Sequence, residues 1–117
     1  MKLVVAIIRP EKLEDVQAAL NERDLYLMTV TDVGGFGRYR FFTEVYRGAE
    51  FQVRIQPRLK LEIAVEDTSL EAAIEAIVHA ARTGEIGEIG DGKIFVLPLE
   101  DCVRIRTGER GGPAIGQ

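Results

Sequence analysis

The sequence predicts a single α+β domain with the element order β-α-β-β-α-β, followed by a short C-terminal strand. Three observations support this prediction. An aliphatic run opens the chain, two later segments carry apolar residues at helical spacing, and several short segments alternate apolar with polar residues. With 117 residues, 46% of them hydrophobic and 29% charged, the chain has the composition of one ordinary globular domain.

The first half of the chain predicts a strand, a helix and a second strand. Residues 3–8 form a continuous aliphatic run, which is typical of a strand buried on both faces. Pro10 stands where a helix can begin, and apolar residues from Leu13 to Leu20 give that helix one buried stripe. Residues 25–33 alternate between two sides and predict the second strand.

The second half predicts two more strands around a second helix. Residues 58–65 alternate as a strand does, and residues 68–71 (Thr-Ser-Leu-Glu) match a capping box that opens the clearest helix. Residues 94–97 form the fourth strand, which Pro98 limits. Residues 103–106 alternate apolar with basic and predict the short final strand.

This order is the ferredoxin-like arrangement, in which two helices cover one face of an antiparallel sheet. The residues predicted on the other face are too mixed for a pure core or a pure solvent face. They are Thr29, Thr31, Lys60, Glu62 and Ala64. A monomer would leave part of this face open, so we expect a homo-oligomer that covers it.

Composition also limits the function. A net charge of −4 and a pI of about 5.1 argue against a nucleic-acid partner. Cys102 and His79 are the only residues of their types, so we expect neither a disulfide framework nor a metal site. The N-terminal apolar run is too short to span a membrane and lacks a cleavage site, so we expect a cytoplasmic protein without direct membrane insertion.

Four glycines join the second helix to the fourth strand in residues 83–93, and the last of them precedes Lys93. Glycine permits positive φ, and successive backbone N–H groups of such a loop can form an anion-binding nest beside the lysine. The alternative is a flexible connector in which Gly84 caps the helix. The loop is neither a dinucleotide fingerprint nor a P-loop, because those glycines precede a helix.

Arg104 and Arg106 are two residues apart on the predicted final strand, so their side chains leave the same face. Two guanidinium groups on one face can bracket a polyphosphate. A solvated strand face with surface charges is the alternative. Because residues 90–93 supply another half of an anion site, we favour phosphate binding.

The connection between the second and third strands, about residues 37–56, is longer than most loops of compact domains. It interleaves aromatic residues with arginines, the residue types that dominate interface hot spots. The alternation of residues 51–56 also fits a hairpin extension. We favour a partner-binding loop, and a flanking ribbon is compatible with it.

Several segments resemble the PII signalling proteins in the order in which that family carries them. Residues 81–84, 89–96 and 104–109 resemble its nucleotide-binding segments, and residues 28–31 with 35–38 resemble the start of its long effector loop. The tip of that loop is similar to Tyr46, Arg47, Gly48, Ala49 and Glu50. The resemblance extends from Met1 to about Glu109.

The resemblance implies a homotrimeric, non-enzymatic regulator with nucleotide sites between subunits, where ATP and ADP compete and 2-oxoglutarate binds beside Mg-ATP. Its long loop would dock on an ammonium transporter or a metabolic enzyme, with Arg47 as the pore-plugging residue. The implied ligand-binding residues are Ile7, Thr29, Gly35, Phe36, Gly37, Arg38, Arg58, Glu62, Ala64, Gly90, Asp91, Gly92, Lys93, Arg104 and Arg106.

The sequence departs from the family pattern at several places. Tyr39 replaces the glutamine that helps to hold Mg²⁺ and 2-oxoglutarate, and Arg58 replaces a lysine that grips the oxoacid. Neither position matches the family's Mg²⁺ and 2-oxoglutarate site. Phe51 and Ala49 lack the hydroxyl groups that are modified in relatives, so no modification is expected there. Residues 85–87 make the loop at residues 83–93 three residues longer than the family pattern, and we expect them to bulge outward.

Three other functions compete with this one. The first is a related adenine-nucleotide sensor of carbon or bicarbonate metabolism without a 2-oxoglutarate response. The second is a small ferredoxin-like phosphatase, for which Asp91 and Glu62 are the only candidates and lack a legible base partner. The third, an RNA-binding sheet, is disfavoured by the acidic pI and by the lack of surface aromatics on the strands.

Overall fold

Four strands form one antiparallel sheet in a computed structural model that describes residues 1–36 and 55–116. The strands are β1 (Lys2–Ile8), β2 (Thr29–Gly35), β3 (Gln56–Val65) and β4 (Gly92–Pro98), and their order in the sheet is β2-β3-β1-β4. The helices are α1 (Leu13–Asn21), α2 (Leu70–Ala81) and the short α3 (Gly112–Ile115). The predicted ferredoxin-like α+β fold is confirmed.

The hydrophobic core lies between one face of the sheet and the helices α1 and α2. Val4, Ala6 and Ile8 of β1 are buried in it, together with alternate residues of β3 and the apolar stripes of both helices. Leu3 and Val5, whose side chains leave the other face of β1, are only half buried. The prediction that β1 is buried on both faces is therefore not met within one chain, because the helices cover one face only.

The second strand begins at Thr29, four residues later than predicted. The chain after α1 first turns back on the helix end, where the N–H groups of Arg23 and Leu25 donate to the carbonyl oxygen of Leu20. Asp24 has a positive φ of 59° in this turn. Because these bonds hold the backbone beside α1, pairing with β3 starts only at Thr29, opposite Glu62.

The predicted capping box is wrong. Asp67–Ser69 forms a single turn of 3-10 helix before α2, and no side-chain hydrogen bond caps it. The Ser69 N–H group donates instead to the carbonyl oxygen of Glu66 at 2.9 Å. The tighter turn satisfies backbone donors that a capping side chain would otherwise satisfy.

The predicted C-terminal strand is also corrected. Val103 and Arg110 form a single bridge, and residues 105–107 form a turn between them. Gly108, with a φ of +75°, closes the turn by donating its N–H to the carbonyl oxygen of Arg104 at 2.7 Å. The apolar–basic alternation is thus part of a tight hairpin, and Arg104 and Arg106 are not same-face residues of a strand.

The sheet face opposite the helices carries an apolar patch beside a mixed polar area. Val5 pairs with Phe95 and Leu3 pairs with Leu97, and both partners on β4 are about half exposed. Toward β2 the same face carries Thr29, Thr31, Lys60 and Glu62. Exposed aromatic and aliphatic side chains next to one another on a sheet are typical of a surface that another chain covers.

The first testable prediction concerns Gly92, which has a φ of +110° beside β1. A Cβ atom at residue 92 would overlap the carbonyl oxygen of Ile7, which lies on the neighbouring strand β1. We expect Gly92→Ala to lower the free energy of unfolding by about 3 kcal/mol or more, from strain and overlap together. Urea denaturation followed by circular dichroism measures this loss.

Gly84→Ala is the matched control, because Gly84 also has a positive φ (+64°) but no heavy atom lies within 4 Å of the place where its Cβ would stand. Its expected cost is that of a left-handed alanine alone, about 1–2 kcal/mol. Equal losses for the two variants would contradict the close approach of β4 to Ile7.

Candidate nucleotide-binding site

Asp91 organises the glycine-rich loop between α2 and β4. Its Oδ2 accepts the N–H groups of Thr83 at 3.0 Å and Glu88 at 2.8 Å, and its Oδ1 accepts the Thr83 hydroxyl at 2.6 Å. Thr83 opens the loop and Glu88 lies in its middle. One carboxylate therefore ties the beginning, the middle and the end of the loop together.

Arg9 fixes the same loop to the end of β1. Its Nε donates to Oδ1 of Asp91 at 3.1 Å, and its Nη2 donates to the carbonyl oxygen of Ile89 at 3.0 Å. The Glu88 carboxylate lies 3.8 Å from the same Nη2. The arginine thus joins the sheet to the loop through a charged side chain and a backbone carbonyl.

These contacts set the charge state of Asp91, whose side chain is 19% exposed. Burial by itself raises the pKa of this carboxyl group, because it disfavours the charged form. The hydrogen bonds from the Thr83 side chain, the two backbone N–H groups and Arg9 outweigh burial and hold the pKa well below its ordinary value. Asp91 is therefore an ionised acceptor that is already fully used within the protein.

The residues that follow Asp91 are held by the sheet. Lys93 pairs with Ile7 in the β1–β4 register, and its side chain is exposed. The Asp91 N–H group donates to the carbonyl oxygen of Glu88 at 3.2 Å, which closes the last turn of the loop. Gly90 has a φ of +97° in this turn. The predicted segment 90–93 is thus a hydrogen-bonded turn that leads into β4, with Lys93 near the start of that strand.

A cleft of about 660 Å³ lies between this loop, the C-terminal half of α2 and the adjoining ends of β1 and β4. Its wall is mostly aliphatic, and the charged residues Arg82, Glu88, Asp91 and Lys93 line it as well. Ile86, within the segment that the resemblance marks as extra, is 97% exposed as a whole, although it also lines the cleft. Because Ile74, Ile77 and Val78 of α2 line it, most of this cleft lies on the helix side of the sheet, apart from the open face.

The other predicted residues on the sheet share the face that the helices leave open. Thr29 is the register partner of Glu62, which in turn pairs with Val5, while Ile7 and Ala64 lie on the same face by alternation. Glu62 has Lys60 at 4.0 Å as its charged neighbour. The fold therefore brings Ile7, Thr29, Glu62, Ala64 and Lys93 to one surface.

Gly35, Phe36 and Arg58 lie where β2 and β3 meet the long connection. Arg58 pairs with Val33 on the sheet, and a Cβ added to Gly35 would contact the Arg58 side chain at 3.6 Å. Arg58 is only 8% exposed and donates from Nη1 to the carbonyl oxygen of Pro57 at 2.7 Å. Phe36 is exposed. These residues adjoin the same end of the sheet as Ile8 and Gly92.

Arg104 and Arg106 lie at the other end of the sheet. They follow β4, whose end is tied to the N-terminus by a hydrogen bond from Leu99 N–H to the carbonyl oxygen of Met1. Residues 90–93 lie instead beside Ile7 and Ile8, and the six strand positions from Gly92 to the end of β4 at Pro98 span about 20 Å. One chain does not bring the arginines and the loop together, so their joint site remains a prediction that requires a second chain.

Some predicted residues lie outside the described part of the chain. They are Gly37, Arg38, Tyr39, Tyr46, Arg47, Gly48, Ala49, Glu50 and Phe51. Within residues 1–36 and 55–116, no group of histidine, cysteine and acidic residues could hold a metal ion. No helix in that part of the chain has the length and apolar character needed to cross a membrane.

Sequence reasoning missed Arg9 and Thr83. The sequence feature that could have pointed to them is Asp91, because an aspartate inside a proposed anion site needs hydrogen-bond donors of its own. Arg9 lies 82 positions from Asp91, so no local pattern joins the two.

Comparison with known proteins gives one consistent family. The family model described as Nitrogen regulatory protein P-II matches residues 1–109. Proteins of that name from Azospirillum brasilense and Rhodospirillum rubrum are each 55% identical over 115 residues, which is 98% of this chain and 100% of each relative. The crystal structure of Arabidopsis thaliana PII bound to citrate is similar with a TM-score of 0.78 and 39% identity, covering 99% of this chain and 90% of that one.

The second testable prediction concerns Asp91→Asn, which removes the charge that four donors satisfy. We expect a loss of about 1–3 kcal/mol in the free energy of unfolding at neutral pH. Because the folded-state pKa is depressed from 3.8, this contribution is full above about pH 4 and is lost as the pH falls through the folded-state pKa. Urea denaturation of both proteins from neutral to acidic pH measures the difference.

Glu88→Gln is the control, since its carboxylate is 63% exposed and loses only the 3.8 Å pairing with Arg9, while its N–H group remains bonded to Asp91. We expect it to change the stability much less than Asp91→Asn does. A difference between Asp91→Asn and the parent protein that persisted unchanged at the lowest pH would contradict the depressed pKa.

Proposed function

The chain belongs to the family of nitrogen regulatory proteins P-II, and we propose that it is a non-enzymatic regulator that binds ATP and ADP between the subunits of a homotrimer. In this proposal the connection at residues 37–56 contacts a regulated protein of nitrogen metabolism, such as an ammonium transporter or an enzyme. The protein acts in the cytoplasm. The nucleotide controls the conformation of that connection.

The observation that carries this proposal is the fixed loop between α2 and β4, which places the free ammonium group of Lys93 beside it within the described residues. The Asp91 carboxylate accepts hydrogen bonds from Thr83, Glu88 and Arg9, and its ion pair with Arg9 offsets its charge, which lessens its repulsion of an incoming phosphate. Lys93 follows at the start of β4, and no hydrogen bond or ion pair within the described residues uses its ammonium group. An exposed ammonium group beside a fixed, positive-φ turn suits a phosphate.

Two features support a shared site in a trimer. The open sheet face carries half-exposed Phe95 and Leu97 next to the predicted nucleotide residues, so a second chain that covers the apolar part also borders the polar part. Arg104 and Arg106 lie at the sheet end opposite the loop of their own chain. A neighbouring chain can supply them to this loop, whereas the same chain cannot.

The position of the long connection supports a route from nucleotide to partner. It leaves the sheet after Gly35 and Phe36 and returns at Gln56, next to Arg58. Both ends therefore lie at the sheet end that carries Ile7, Gly92 and Lys93. In this proposal ATP and ADP contact Gly35 or Phe36 differently. Each nucleotide then stabilises a different conformation of the connection, as such control requires.

A second candidate is an adenine-nucleotide sensor without a 2-oxoglutarate response, tied to carbon or bicarbonate metabolism. Arg58 favours it, because its guanidinium is nearly buried and bonded to the Pro57 carbonyl oxygen, rather than extended as a free fork. Tyr39, which offers no amide oxygen to Mg²⁺, favours it as well.

A phosphatase is poorly supported. Asp91 has a depressed pKa and four donors, so it is a weak proton acceptor with no free lone pair aimed at a water molecule. Glu62 has only Lys60 as its charged neighbour among the described residues. Neither carboxylate is arranged as a general base, which supports a binding protein instead.

The third testable prediction is that Lys93→Ala weakens ATP binding about ten- to hundredfold, because one charge-assisted contact to phosphate is lost. Isothermal titration calorimetry of the full chain with ATP and with ADP measures the change. Lys2→Ala is the matched control, since Lys2 lies at the opposite end of β1 and pairs with Asp67. ATP affinity unaffected by Lys93→Ala would contradict the proposed phosphate site.

The same titrations with added 2-oxoglutarate and Mg²⁺ separate the two candidates. An increase in ATP affinity on addition of the oxoacid supports the nitrogen-regulatory form with carbon sensing. Unchanged ATP affinity supports the second candidate, in which Arg58 and Tyr39 have removed that response.

The fourth testable prediction concerns assembly. Size-exclusion chromatography with light scattering should give three times the chain mass of 13.0 kDa. Phe95→Asp should give smaller species, because a trimer would bury an unpaired carboxylate against an apolar patch. Ala18→Asp, on the exposed side of α1, should leave the mass unchanged. A monomeric parent protein would contradict the shared site.

A further inference from the structure

Arg104, which the proposed function assigns to phosphate, is held by the C-terminal segment of its own chain. Its Nη1 donates to Oε1 of Glu109 at 2.9 Å, and its Nη2 donates to the carbonyl oxygens of Pro113 at 2.7 Å and Gly116 at 3.0 Å. Its Nε is buried without a hydrogen-bond partner among the described residues. The guanidinium group is thus directed at residues 109–116.

The backbone builds this arrangement. The N–H group of Arg104 donates to the carbonyl oxygen of Glu109 at 2.9 Å, which makes the two residues neighbours across the hairpin. The chain then enters α3, where Ala114 is buried and anchors the segment. Gly112 packs so closely against Glu66 that a Cβ atom would overlap the Glu66 carboxylate. The segment is therefore docked on the domain and holds its carbonyl groups in place.

Arg106 shows that this capture is selective. It lies two residues away in the turn of the same hairpin, is exposed, and takes part in no hydrogen bond or ion pair in the described part of the chain. The neighbouring Arg110 is paired with Asp101 at 2.8 Å from Nε. Only one member of the proposed phosphate-binding pair is therefore occupied by an internal anion.

We propose that Glu109 occupies Arg104 as an internal anion until a nucleotide phosphate replaces it. This inference rests on the proposed function, because it takes Arg104 as a phosphate ligand. The two side chains differ in exposure: Glu109 is 48% exposed and Arg104 is 17% exposed. The carboxylate can therefore turn into solvent at little cost while the guanidinium group stays in place.

The carbonyl groups have a different part in this exchange. Pro113 and Gly116 hold Nη2 and do not compete for the face of the guanidinium group that Glu109 occupies. They keep the arginine oriented when Glu109 leaves. The family model ends at residue 109, so these two contacts lie beyond the segment that it matches.

The exchange makes Glu109 a residue that sets nucleotide affinity. A phosphate that reaches Arg104 gains one charge-assisted hydrogen bond and removes another, so Arg104 contributes only the difference between them. Arg106 has no such competitor in the described part of the chain and contributes its interaction in full. Neutralising Glu109 should then raise affinity, whereas a residue that merely orients Arg104 would lower affinity when it is changed.

The test is calorimetric titration of ATP into the full chain, its Glu109→Gln variant and its Asp101→Asn variant. Glutamine can still accept a hydrogen bond but is uncharged, so we expect ATP to bind Glu109→Gln about tenfold more tightly. Asp101→Asn removes one charge from the same hairpin without touching Arg104, and we expect a change of less than about threefold. Equal gains in both variants would overturn the proposal, since they would reflect net charge alone.

A second background makes the test specific. In Arg104→Gln, which should itself weaken ATP binding, the further change Glu109→Gln should bring no gain. A gain that persisted without Arg104, or a loss of affinity in Glu109→Gln alone, would overturn the proposal. If the parent chain binds ATP and Glu109→Gln binds it equally, only this inference fails. If no variant and no parent chain binds ATP or ADP, the proposed function fails and this inference fails with it.

Discussion

The hydrogen bonds of the Asp91 carboxylate are the constraint on which the proposed site depends. They join the end of α2 through Thr83, the middle of the loop through Glu88, and the end of β1 through Arg9. The next residue, Gly92, is already fixed in register with Ile8. The loop is therefore fastened from both sides, and Lys93 has a defined position at the strand edge. The residue that shapes the proposed phosphate-binding loop is therefore an acid that need not touch the ligand.

The two halves of the proposed site each contain a carboxylate, and the difference between them is informative. Asp91 is 19% exposed and accepts from four donors, so it holds several parts of the loop together. Glu109 is 48% exposed, and its carboxylate has one guanidinium partner. The number of donors and the exposure of the acid therefore distinguish a carboxylate that builds a site from one that can leave it. Charge alone would treat both as unfavourable beside a phosphate.

The sequence predicted the fold and the outline of the loop because both depend on local patterns. Alternation and helical spacing identified the four strands and two helices, and the glycines before Lys93 marked the loop. The Arg9–Asp91 pair joins residues 82 positions apart, and the hold on Arg104 uses backbone carbonyls that any residue could supply. The final strand was mispredicted because residues 103–106 alternate like a strand, whereas Gly108 makes the chain turn there.

The separation of the loop from Arg104 and Arg106 has a thermodynamic consequence. If the site is complete only when a second chain supplies the arginines, nucleotide binding and assembly favour each other, because the ligand binds only the associated form. A lone chain would otherwise leave the half-buried guanidinium group of Arg104 without an anionic partner, which is costly. Glu109 provides that partner, so the charge of Arg104 stays paired until both a neighbouring loop and a phosphate are present. The Glu109 carboxylate that pairs with Arg104 then sets how strongly a phosphate must bind in order to displace that carboxylate.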